Sequence, residues 1–499
     1  MFRFFRSAGW ATTKYMMVTI ATIVITLLGA RAYTAMQGPP LRAWHTFVPN
    51  ELDAGDLATA SWADYMAAED RIFRSVETEV VAKIEPEDEF PADRYYAKSP
   101  LHPAGFTTDW NRSFILMPEG EPRGAVVLLH GLTDSPYSLR HVARLYADKG
   151  FVALAIRIPG HGTVPGGLTT VTWEDWLAAT KLAAREAVSR AGAGKPFHIV
   201  GYSNGGALAV KYVLDALHDD KLAMPDQVVL FSPMIGVTAF ARFAGLAALP
   251  SYFFPAFVNT SWLGIVPEYN PFKYNSFPVN AARQSYLLTA ALRSEIDRAA
   301  EAGKLGRMPP ILTFQSLVDH TINVRALVDT LYDKLPANGS ELVLFDVNRT
   351  KNFDLLIRSA AETLLPALLP PRKRDFSLSV ISNAGSPDGG VMERLTQAGS
   401  IEESSRPLGV KYPRDVFSLS HIAMPFPPDD ALYGGQPAPR PTPEFGISLG
   451  TVDIHGEIGV LVVTLDNAMR MSYNPFFSYV TEQIERVIPA AGTGAASGG

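Results

Sequence analysis

Short apolar runs alternate with longer, more polar segments across the middle of the chain. A continuous apolar run of about four to eight residues is typical of a central parallel strand, because helices cover both of its faces. The pattern therefore predicts a mostly parallel sheet with helices on both faces. The predicted strands are 124–131, 151–158, 196–201, 227–232, 310–315 and 341–347, and the predicted helices include 172–191, 204–217 and 323–335.

Two stretches interrupt this alternation and divide the predicted domain, which comprises residues 101–232 and 309–488. Residues 233–308 are rich in aromatic residues and proline, and we interpret them as a cap over the strand ends, although an inserted helical layer would bury the same residues. Residues 348–420 are interpreted as a second insertion, with a turn-rich centre. The remaining elements predicted after it are a Pro-rich loop at 425–443, antiparallel strands within 445–467, a closing helix at 474–488 and a flexible tail at 489–499.

The N-terminal segment, residues 1–36, has the charge pattern of a membrane anchor or signal segment. Arg3, Arg6 and Lys14 precede an uncharged run at 15–30. Positive charge before such a run favours an N-terminus on the cytoplasmic side and a body on the extracytoplasmic side. We expect an uncleaved anchor. The alternatives are signal cleavage near Ala30-Arg31-Ala32, which would release a secreted or periplasmic protein, and burial of the run in a cytosolic core. Residues 37–100 are predicted to form an acidic, mostly helical N-terminal arm.

Composition narrows the class of protein. The chain has 499 residues, of which 47% are hydrophobic, enough for a sizeable core. Its formal net charge is −6 and no basic stripe is present, so we expect no nucleic-acid partner. The absence of cysteine excludes disulfides, zinc–thiolate sites and a cysteine nucleophile.

The strongest chemical motif is Gly201-Tyr202-Ser203-Asn204-Gly205, which lies between a predicted strand and a predicted helix. Glycines two residues before and after a serine fit a sharp strand-to-helix turn, because a side chain at either position would collide with neighbouring backbone. Such a turn presents the serine hydroxyl at the helix N-terminus, where developing negative charge is favoured. An ordinary turn rich in Gly and Ser can have the same sequence, so the rest of the chain must show whether Ser203 is a nucleophile.

A nucleophilic serine needs a base, and the base needs a carboxylate. In sheets of this type the order along the chain is Ser, then Asp or Glu, then His. We choose Asp319, which follows the strand at 310–315, as the acid. A purely structural Asp319 would instead cap the N-terminus of the next helix, and Asp346 is the alternative acid. For the base we choose His421, which opens a Pro-rich loop.

Two other histidines follow Asp319 in the sequence. His320 is adjacent to the acid and is expected to point elsewhere, and His455 lies in a strand pattern that favours a structural role. The backbone N–H groups of Leu132 and Asn204 are the expected donors to an oxyanion. His130 and His161 are expected to brace loops.

These residues resemble the α/β-hydrolase superfamily, and within it the monoacylglycerol lipase, lysophospholipase and serine aminopeptidase group of bacterial hydrolases. The resemblance rests on the motifs at 127–136, 159–162, 201–206 and 318–322 and covers residues 110–350. It implies a Ser203/Asp319/His421 triad, oxyanion donors at Leu132 and Asn204, no metal and no cofactor. The chain departs from the family in one respect. Most members place the histidine a few tens of residues after the acid, just after the last strand, but the residues that follow the predicted strand 341–347 here, 348–352, include no histidine.

The resemblance implies a serine hydrolase that cleaves carboxylic esters of small molecules or lipids, and the expected N-terminal anchor would place its site near a membrane. A serine aminopeptidase would need acidic cap residues for the substrate amine, and Glu268, Glu295 and Asp297 are the available ones. An acyltransferase would use the same acyl-enzyme, and a non-catalytic binding protein would share the fold. Dehalogenases and epoxide hydrolases are disfavoured because they carry Asp at the nucleophile position.

Overall fold

The computed structural model of the chain describes residues 2–236, 255–350, 364–386, 389–414, 416–435, 444–451, 469–470 and 472–489. Within these ranges the strands are β1 (Phe114–Leu116), β2 (Gly124–Leu129), β3 (Phe151–Ile156), β4 (Phe197–Tyr202), β5 (Gln227–Phe231), β6 (Trp262–Gly264), β7 (Phe277–Pro278), β8 (Ile311–Ser316), β9 (Glu341–Phe345), β10 (Ser377–Ser382), β11 (Gly390–Thr396) and β12 (Glu403–Lys411).

The helices surround these strands in the same described ranges. They are α1 (Phe2–Met36), α2 (Ala43–Thr46), α3 (Ala54–Thr59), α4 (Trp62–Glu79), α5 (Arg140–Asp148), α6 (Trp173–Ala191), α7 (Asn204–Ala216), α8 (Val279–Glu301), α9 (Val324–Thr330), α10 (Leu364–Leu368) and α11 (Phe477–Val487).

A ten-stranded sheet forms the centre of the described chain, in the order β1-β3-β2-β4-β5-β8-β9-β10-β11-β12. The pairs from β3 through β10 are parallel, while β1, β11 and β12 join antiparallel at the two edges. Because the strands are parallel, their carboxyl ends meet at one edge of the sheet, which is where ligands bind in open α/β folds. The predicted α/β fold class, with a mostly parallel sheet, is confirmed in this part of the chain.

Each central strand is buried on both faces, which explains the continuous apolar runs in the sequence. Along β2, Val127 and Leu129 pack with helices α6 to α9. The alternate residues Val126 and Leu128 pack with α5 and α11 on the opposite face. Successive side chains of a strand point to opposite faces, so one run supplies both cores.

The segment 348–420, interpreted above as an insertion, contains three strands of the central sheet. β10 pairs with β9 in parallel, with Val380 opposite Leu344, and β11 and β12 continue from it as antiparallel strands. The sheet is therefore wider than the alternation predicted, and the chain after Phe345 travels through three more strands before it reaches His421. Part of the segment, residues 351–363, lies outside the described residues.

Helix α1 contains a stretch of 24 residues, Thr13–Met36, that is long and apolar enough to cross a membrane and is almost entirely exposed. Its last turns contact the segment that contains β6. The guanidinium of Arg31 donates to the carbonyl of Trp262, and Asn259 Nδ2 donates to the carbonyl of Ala35 at 3.3 Å. A signal sequence would have the same composition.

Residues 37–90 contain α2 to α4 and lie against the sheet through a buried ionic cluster. Arg157, fully buried after β3, donates to both carboxylate oxygens of Glu51 at 2.8 and 2.9 Å. Its Nε donates to Glu69 Oε2 at 3.1 Å, and the hydroxyl of Tyr65 donates to its carbonyl. Loss of the arginine or of the glutamates would leave a buried charge without its partner, which is costly. These contacts therefore hold the N-terminal arm in a fixed position against the sheet.

The predicted cap, 233–308, is described at 233–236 and from residue 255 onward. In that part, β6 pairs with β7, and the long helix α8 follows. Asn280 Nδ2 in α8 donates to the carbonyls of Leu168 and Val171 at 3.0 and 2.9 Å. Helix α8 thus lies beside the loops that follow β3. The antiparallel strands predicted within 445–467 and the tail predicted at 489–499 fall mostly outside the described residues.

Candidate active site

Ser203 occupies the turn between β4 and α7, as the motif predicts. Its backbone φ is 55° and its ψ is −115°, a strained conformation for a residue with a side chain. Its N–H donates to the carbonyl of Phe231 and its carbonyl accepts from the N–H of Met234, both at 2.9 Å. These two bonds to β5 and the residues after it hold the turn, and the Ser203 residue is 5% exposed.

Both glycines of the motif are required by close backbone approach. A Cβ on Gly201 would lie 2.5 Å from the carbonyl oxygen of Gly205, and one on Gly205 would collide with the carbonyl of Leu129. The neighbouring Gly206 would meet Pro233 Cβ at 2.7 Å. The pattern around Ser203 therefore allows α7 to approach β2 and β4 more closely than any side chain would permit.

Asp319 and His421 are in direct contact. Asp319 lies in the loop after β8, and His421 lies in the loop beyond β12. His421 Nδ1 donates to Asp319 Oδ2 at 2.8 Å, and the side chains are 6% and 0% exposed. With the Nδ1 proton engaged in this way, Nε2 is the nitrogen that can accept a proton from another group.

The Asp319 carboxylate accepts three further hydrogen bonds. Gln315 Nε2 donates to Oδ2 at 2.9 Å, and the N–H groups of Thr321 and Ile322 donate to Oδ1 at 2.8 and 2.9 Å. Burial alone would raise the pKa of Asp319, but the charge and hydrogen bond of His421, with the two backbone donors, lower it to about 2. The group is therefore a carboxylate throughout the neutral range. Sequence analysis missed Gln315, although a glutamine inside an apolar strand was a visible signal.

His421 lies against Tyr202, the residue before Ser203. Their ring centroids are 5.5 Å apart, and the Tyr202 hydroxyl donates to the carbonyl of His421 at 3.4 Å. Ser203 Oγ and His421 are not hydrogen-bonded to each other in this structure. In free enzymes this contact is often long and shortens when substrate binds.

The two expected oxyanion donors lie on either side of Ser203. Asn204 is the first residue of α7, and Leu132 follows Gly131 in the loop after β2. A Cβ on Gly131 would be 3.2 Å from Ser203 Cβ, so this loop passes directly beside the serine. Among the described residues, neither Leu132 N–H nor Asn204 N–H donates to an acceptor. Both donors are therefore available to a bound group.

His130 and His161 make the contacts expected of braces. His130 Nδ1 donates to the carbonyl of Gly131 at 2.9 Å, and its Nε2 accepts from the N–H of Ile158 at 3.0 Å. The His161 ring lies 5.0 Å from the His130 ring in an edge-on arrangement. Burial lowers the pKa of His130 well below its ordinary value, so its ring is neutral and joins the loops after β2 and β3.

The alternative acid and bases lie elsewhere or outside the described chain. Asp346 accepts from Arg349 Nε and Nη2, both at 2.9 Å, and from Ser382 Oγ at 2.8 Å. It is therefore a structural acid at the ends of β9 and β10. His320 is exposed, and His455 lies outside the described residues.

A second buried carboxylate, Asp430, connects the loop of His421 to the loop of Leu132. It accepts from Arg140 at 2.7 Å, from His141 and the Tyr137 hydroxyl at 2.9 Å, and from two backbone N–H groups of its own loop. Burial would raise its pKa, but the charge of Arg140 and the bond from His141 hold it well below the ordinary value. Sequence analysis missed this cluster because its members are far apart in the chain.

A serine at a strained strand-to-helix turn, a buried Asp–His pair and two free backbone donors are features typical of the α/β-hydrolase architecture. Residues 120–346 match the family model described as "Serine aminopeptidase, S33". A thermostable monoacylglycerol lipase from Bacillus sp. (strain H-257) is 26% identical over 225 residues, covering 45% of this chain and 81% of the relative. These matches confirm the resemblance to the α/β-hydrolase superfamily and, within it, to the monoacylglycerol lipase and serine aminopeptidase group.

Solved structures similar to the chain each cover less than half of it. One, from a study of the metagenome-derived lipolytic enzymes LipS and LipT, is 23% identical, covers 44% of this chain and 83% of its own, and has a TM-score of 0.35. A soluble variant of monoglyceride lipase from Saccharomyces cerevisiae is 14% identical, covers 45% and 78%, and also has a TM-score of 0.35.

Proposed function

We propose that the chain is a serine hydrolase that cleaves carboxylic esters through an acyl-enzyme on Ser203. The observation that carries the proposal is the buried contact between Asp319 and His421 beside Tyr202. Because Nδ1 is engaged by Asp319, Nε2 is the nitrogen of His421 that can accept a proton. The ring lies beside Tyr202, the last residue of β4, which directly precedes Ser203.

In the proposed reaction, Ser203 Oγ attacks the ester carbonyl carbon while His421 Nε2 takes the hydroxyl proton. The resulting oxyanion accepts hydrogen bonds from the N–H groups of Leu132 and Asn204, and Asp319 balances the imidazolium charge. His421 then gives its proton to the leaving alcohol. A water molecule, activated by the same histidine, releases the acid and regenerates Ser203.

Carboxylic esters fit the described residues better than peptides with a free N-terminus. A pocket for the substrate amine needs an acidic group that is free to bind it. The Glu268 carboxylate instead accepts from the N–H groups of Asn275 and Ser276, at 2.9 and 2.8 Å. Glu295 pairs with Lys211 at 3.1 Å, and Asp297 pairs with Lys334. None of the three candidate acids is free, which supports esterase over aminopeptidase activity.

We propose a small-molecule or lipid ester as the substrate and the bilayer as the site of action. The apolar stretch Thr13–Met36 supports an anchor, and its contacts with Trp262 and Asn259 place the described part of the proposed cap next to it. The charge pattern favours a catalytic domain on the extracytoplasmic side, with a secreted or periplasmic form after signal cleavage as the alternative.

The test uses the full chain in detergent, a Ser203→Ala variant, a fluorophosphonate probe and p-nitrophenyl esters of increasing acyl length. We expect the wild type to be labelled and to hydrolyse at least part of the series, and the variant to do neither. Labelling that persists in Ser203→Ala would overturn the nucleophile. A folded wild type that is inert to both reagents would instead favour a binding protein.

A further inference from the structure

Lys273 lies beside the loop that carries the proposed oxyanion donor Leu132. The residue before it, Phe272, stacks on Tyr137 of that loop with ring centroids 4.0 Å apart. The residue after it, Tyr274, donates its N–H to the carbonyl of Thr133 at 2.7 Å. Both chain neighbours of Lys273 therefore contact the oxyanion loop, which fixes the backbone of Lys273 beside that loop.

The ammonium group of Lys273 is partly buried and lacks a close acceptor. Among the described residues, no carboxylate lies within 4.0 Å of its Nζ and no hydrogen bond is made by it. Burial lowers the pKa of Lys273, Asp134 opposes this fall, and the positive charge of Arg470 adds to it. A partly buried cation with three unused donors costs free energy unless something binds to it.

Arg470 is the second cation at this end of the sheet. Its guanidinium donates to Thr321 Oγ1 in the loop of Asp319, and its carbonyl accepts from Ser420 Oγ, next to His421, at 2.6 Å. Lys273 therefore lies on the oxyanion side of Ser203 and Arg470 on the acid–base side. The loops that the two residues contact both lead to Ser203, one through Gly131 and the other through the Asp319–His421 pair.

We propose that Lys273 and Arg470 form a recognition site for an anionic group, a carboxylate or phosphate, on the ester substrate. The inference rests on the proposed function and names its substrate class: an ester that carries a negative charge near the reacting bond. One cation beside the oxyanion loop and one beside the loops of Asp319 and His421 would bind such a group with charge-assisted hydrogen bonds and orient the ester carbonyl toward Leu132 and Asn204.

The carboxylates nearby do not remove the need for an anion. The Asp319 carboxylate is occupied by His421, Gln315 and backbone donors. Asp134 accepts from the N–H of Ser135 at 2.9 Å and from the hydroxyl of Ser138. Burial raises the pKa of Asp134 to about 6 although Lys273 opposes the rise, so the carboxylate loses its negative charge as the pH falls through about 6. Neither acid supplies a hydrogen-bond acceptor to Lys273.

The experiment compares matched neutral and anionic esters with the full chain in neutral detergent. One pair is 4-nitrophenyl butyrate and mono-4-nitrophenyl glutarate, which differ by a carboxylate on the acyl side. The other pair is 1-oleoylglycerol and its 3-phosphate, which differ by a phosphate on the alcohol side. The variants are Lys273→Met, Lys273→Arg and Arg470→Gln. Lys98→Met and Arg71→Gln remove exposed charges of the same kind and serve as controls.

We expect wild-type kcat/KM to be higher for the anionic member of at least one pair. Lys273→Met and Arg470→Gln should each lower kcat/KM for the anionic ester about tenfold or more. For the neutral ester of the same pair, kcat/KM should stay within about twofold of the wild-type value. Lys273→Arg should retain most of the anionic preference, and the controls should match the wild type. The pair that responds distinguishes a carboxylate from a phosphate.

Two outcomes overturn the inference while the proposed function stands. In one, the wild type hydrolyses neutral esters and prefers them in both pairs. In the other, Lys273→Met lowers kcat/KM equally for neutral and anionic esters, which would make Lys273 a structural counterion of Asp134. Failure of the proposed function is distinct, because the wild type would then neither react with a fluorophosphonate nor cleave any of the four esters.

Discussion

His421 Nδ1 lies 2.8 Å from Asp319 Oδ2, although 102 residues of chain separate the two. The separation is long because the chain forms β10, β11 and β12 between them and then returns to the carboxyl ends of the parallel strands. A loop that returns to this edge brings its histidine to the acid whatever the length of the intervening segment.

Asp319→Asn should lower kcat by roughly 10³–10⁴-fold, because the amide no longer fixes the His421 tautomer or balances the imidazolium. The measurement is ester hydrolysis at saturating substrate. Asp346→Asn is the control, since that carboxylate pairs with Arg349 rather than a histidine. If both variants fold and Asp346→Asn loses more kcat than Asp319→Asn, the roles of the two acids must be exchanged.

His421→Ala should abolish turnover, while His455→Ala should keep most of it. The reason is that His421 is the histidine in contact with Asp319 among the described residues. Single-turnover kinetics with a p-nitrophenyl ester would locate the loss in acylation. If His455→Ala loses activity and His421→Ala retains it, the base belongs to the segment around residue 455.

Acid should weaken the folded state through Asp319. Its pKa is lowered to about 2 in the folded protein, below the value of about 3.9 for an unfolded aspartate. The ionised carboxylate therefore stabilises the fold above the unfolded pKa, by an amount on the order of 2 kcal/mol that is lost as the pH falls toward 2. Unfolding of wild type and Asp319→Asn, measured by urea between about pH 7 and 3, should show a difference that shrinks with acid. A difference independent of pH would contradict this assignment.

Asp430→Asn should destabilise the protein by about 3–5 kcal/mol, because it leaves the buried charge of Arg140 without its partner. The same change should lower kcat, since Asp430 connects the loops of His421 and Leu132. Thermal unfolding and ester hydrolysis measure the two effects. Asp429→Asn is a matched control on the exposed neighbouring residue and should resemble the wild type. Equal effects of the two substitutions would rule out the buried cluster as the cause.

Gly205→Ala should prevent correct closure of the Ser203 turn, because the added methyl group collides with the carbonyl of Leu129. We expect a lower melting temperature and loss of fluorophosphonate labelling. Gly306→Ala adds the same methyl group where no atom lies within 4 Å and should have little effect. A Gly205→Ala protein that is labelled and as stable as the wild type would show that the turn tolerates a side chain.

The sequence by itself determined the local features, because each depends on neighbours in the chain. The apolar runs specified strands buried on both faces, and the glycines around Ser203 specified a turn that only glycine permits. The position of Asp319 just past a strand also followed from the pattern. Chain order narrowed the base to the three histidines after Asp319, and the choice of His421 among them depended on its place before a Pro-rich loop.

Tertiary structure decided what depends on contacts between distant segments. The meeting of His421 with Asp319, the support from Gln315, the buried Asp430 cluster and the position of Lys273 beside the oxyanion loop all arise from strand order and loop return. Strands β10 to β12 had no signal beyond a turn-rich segment, because polar residues interrupt their sequences, as the serines do in Ser377–Ser382, and leave no continuous apolar run. Periodicity reports which face of an element is buried, whereas the identity of the partner across that face is set only when the chain folds.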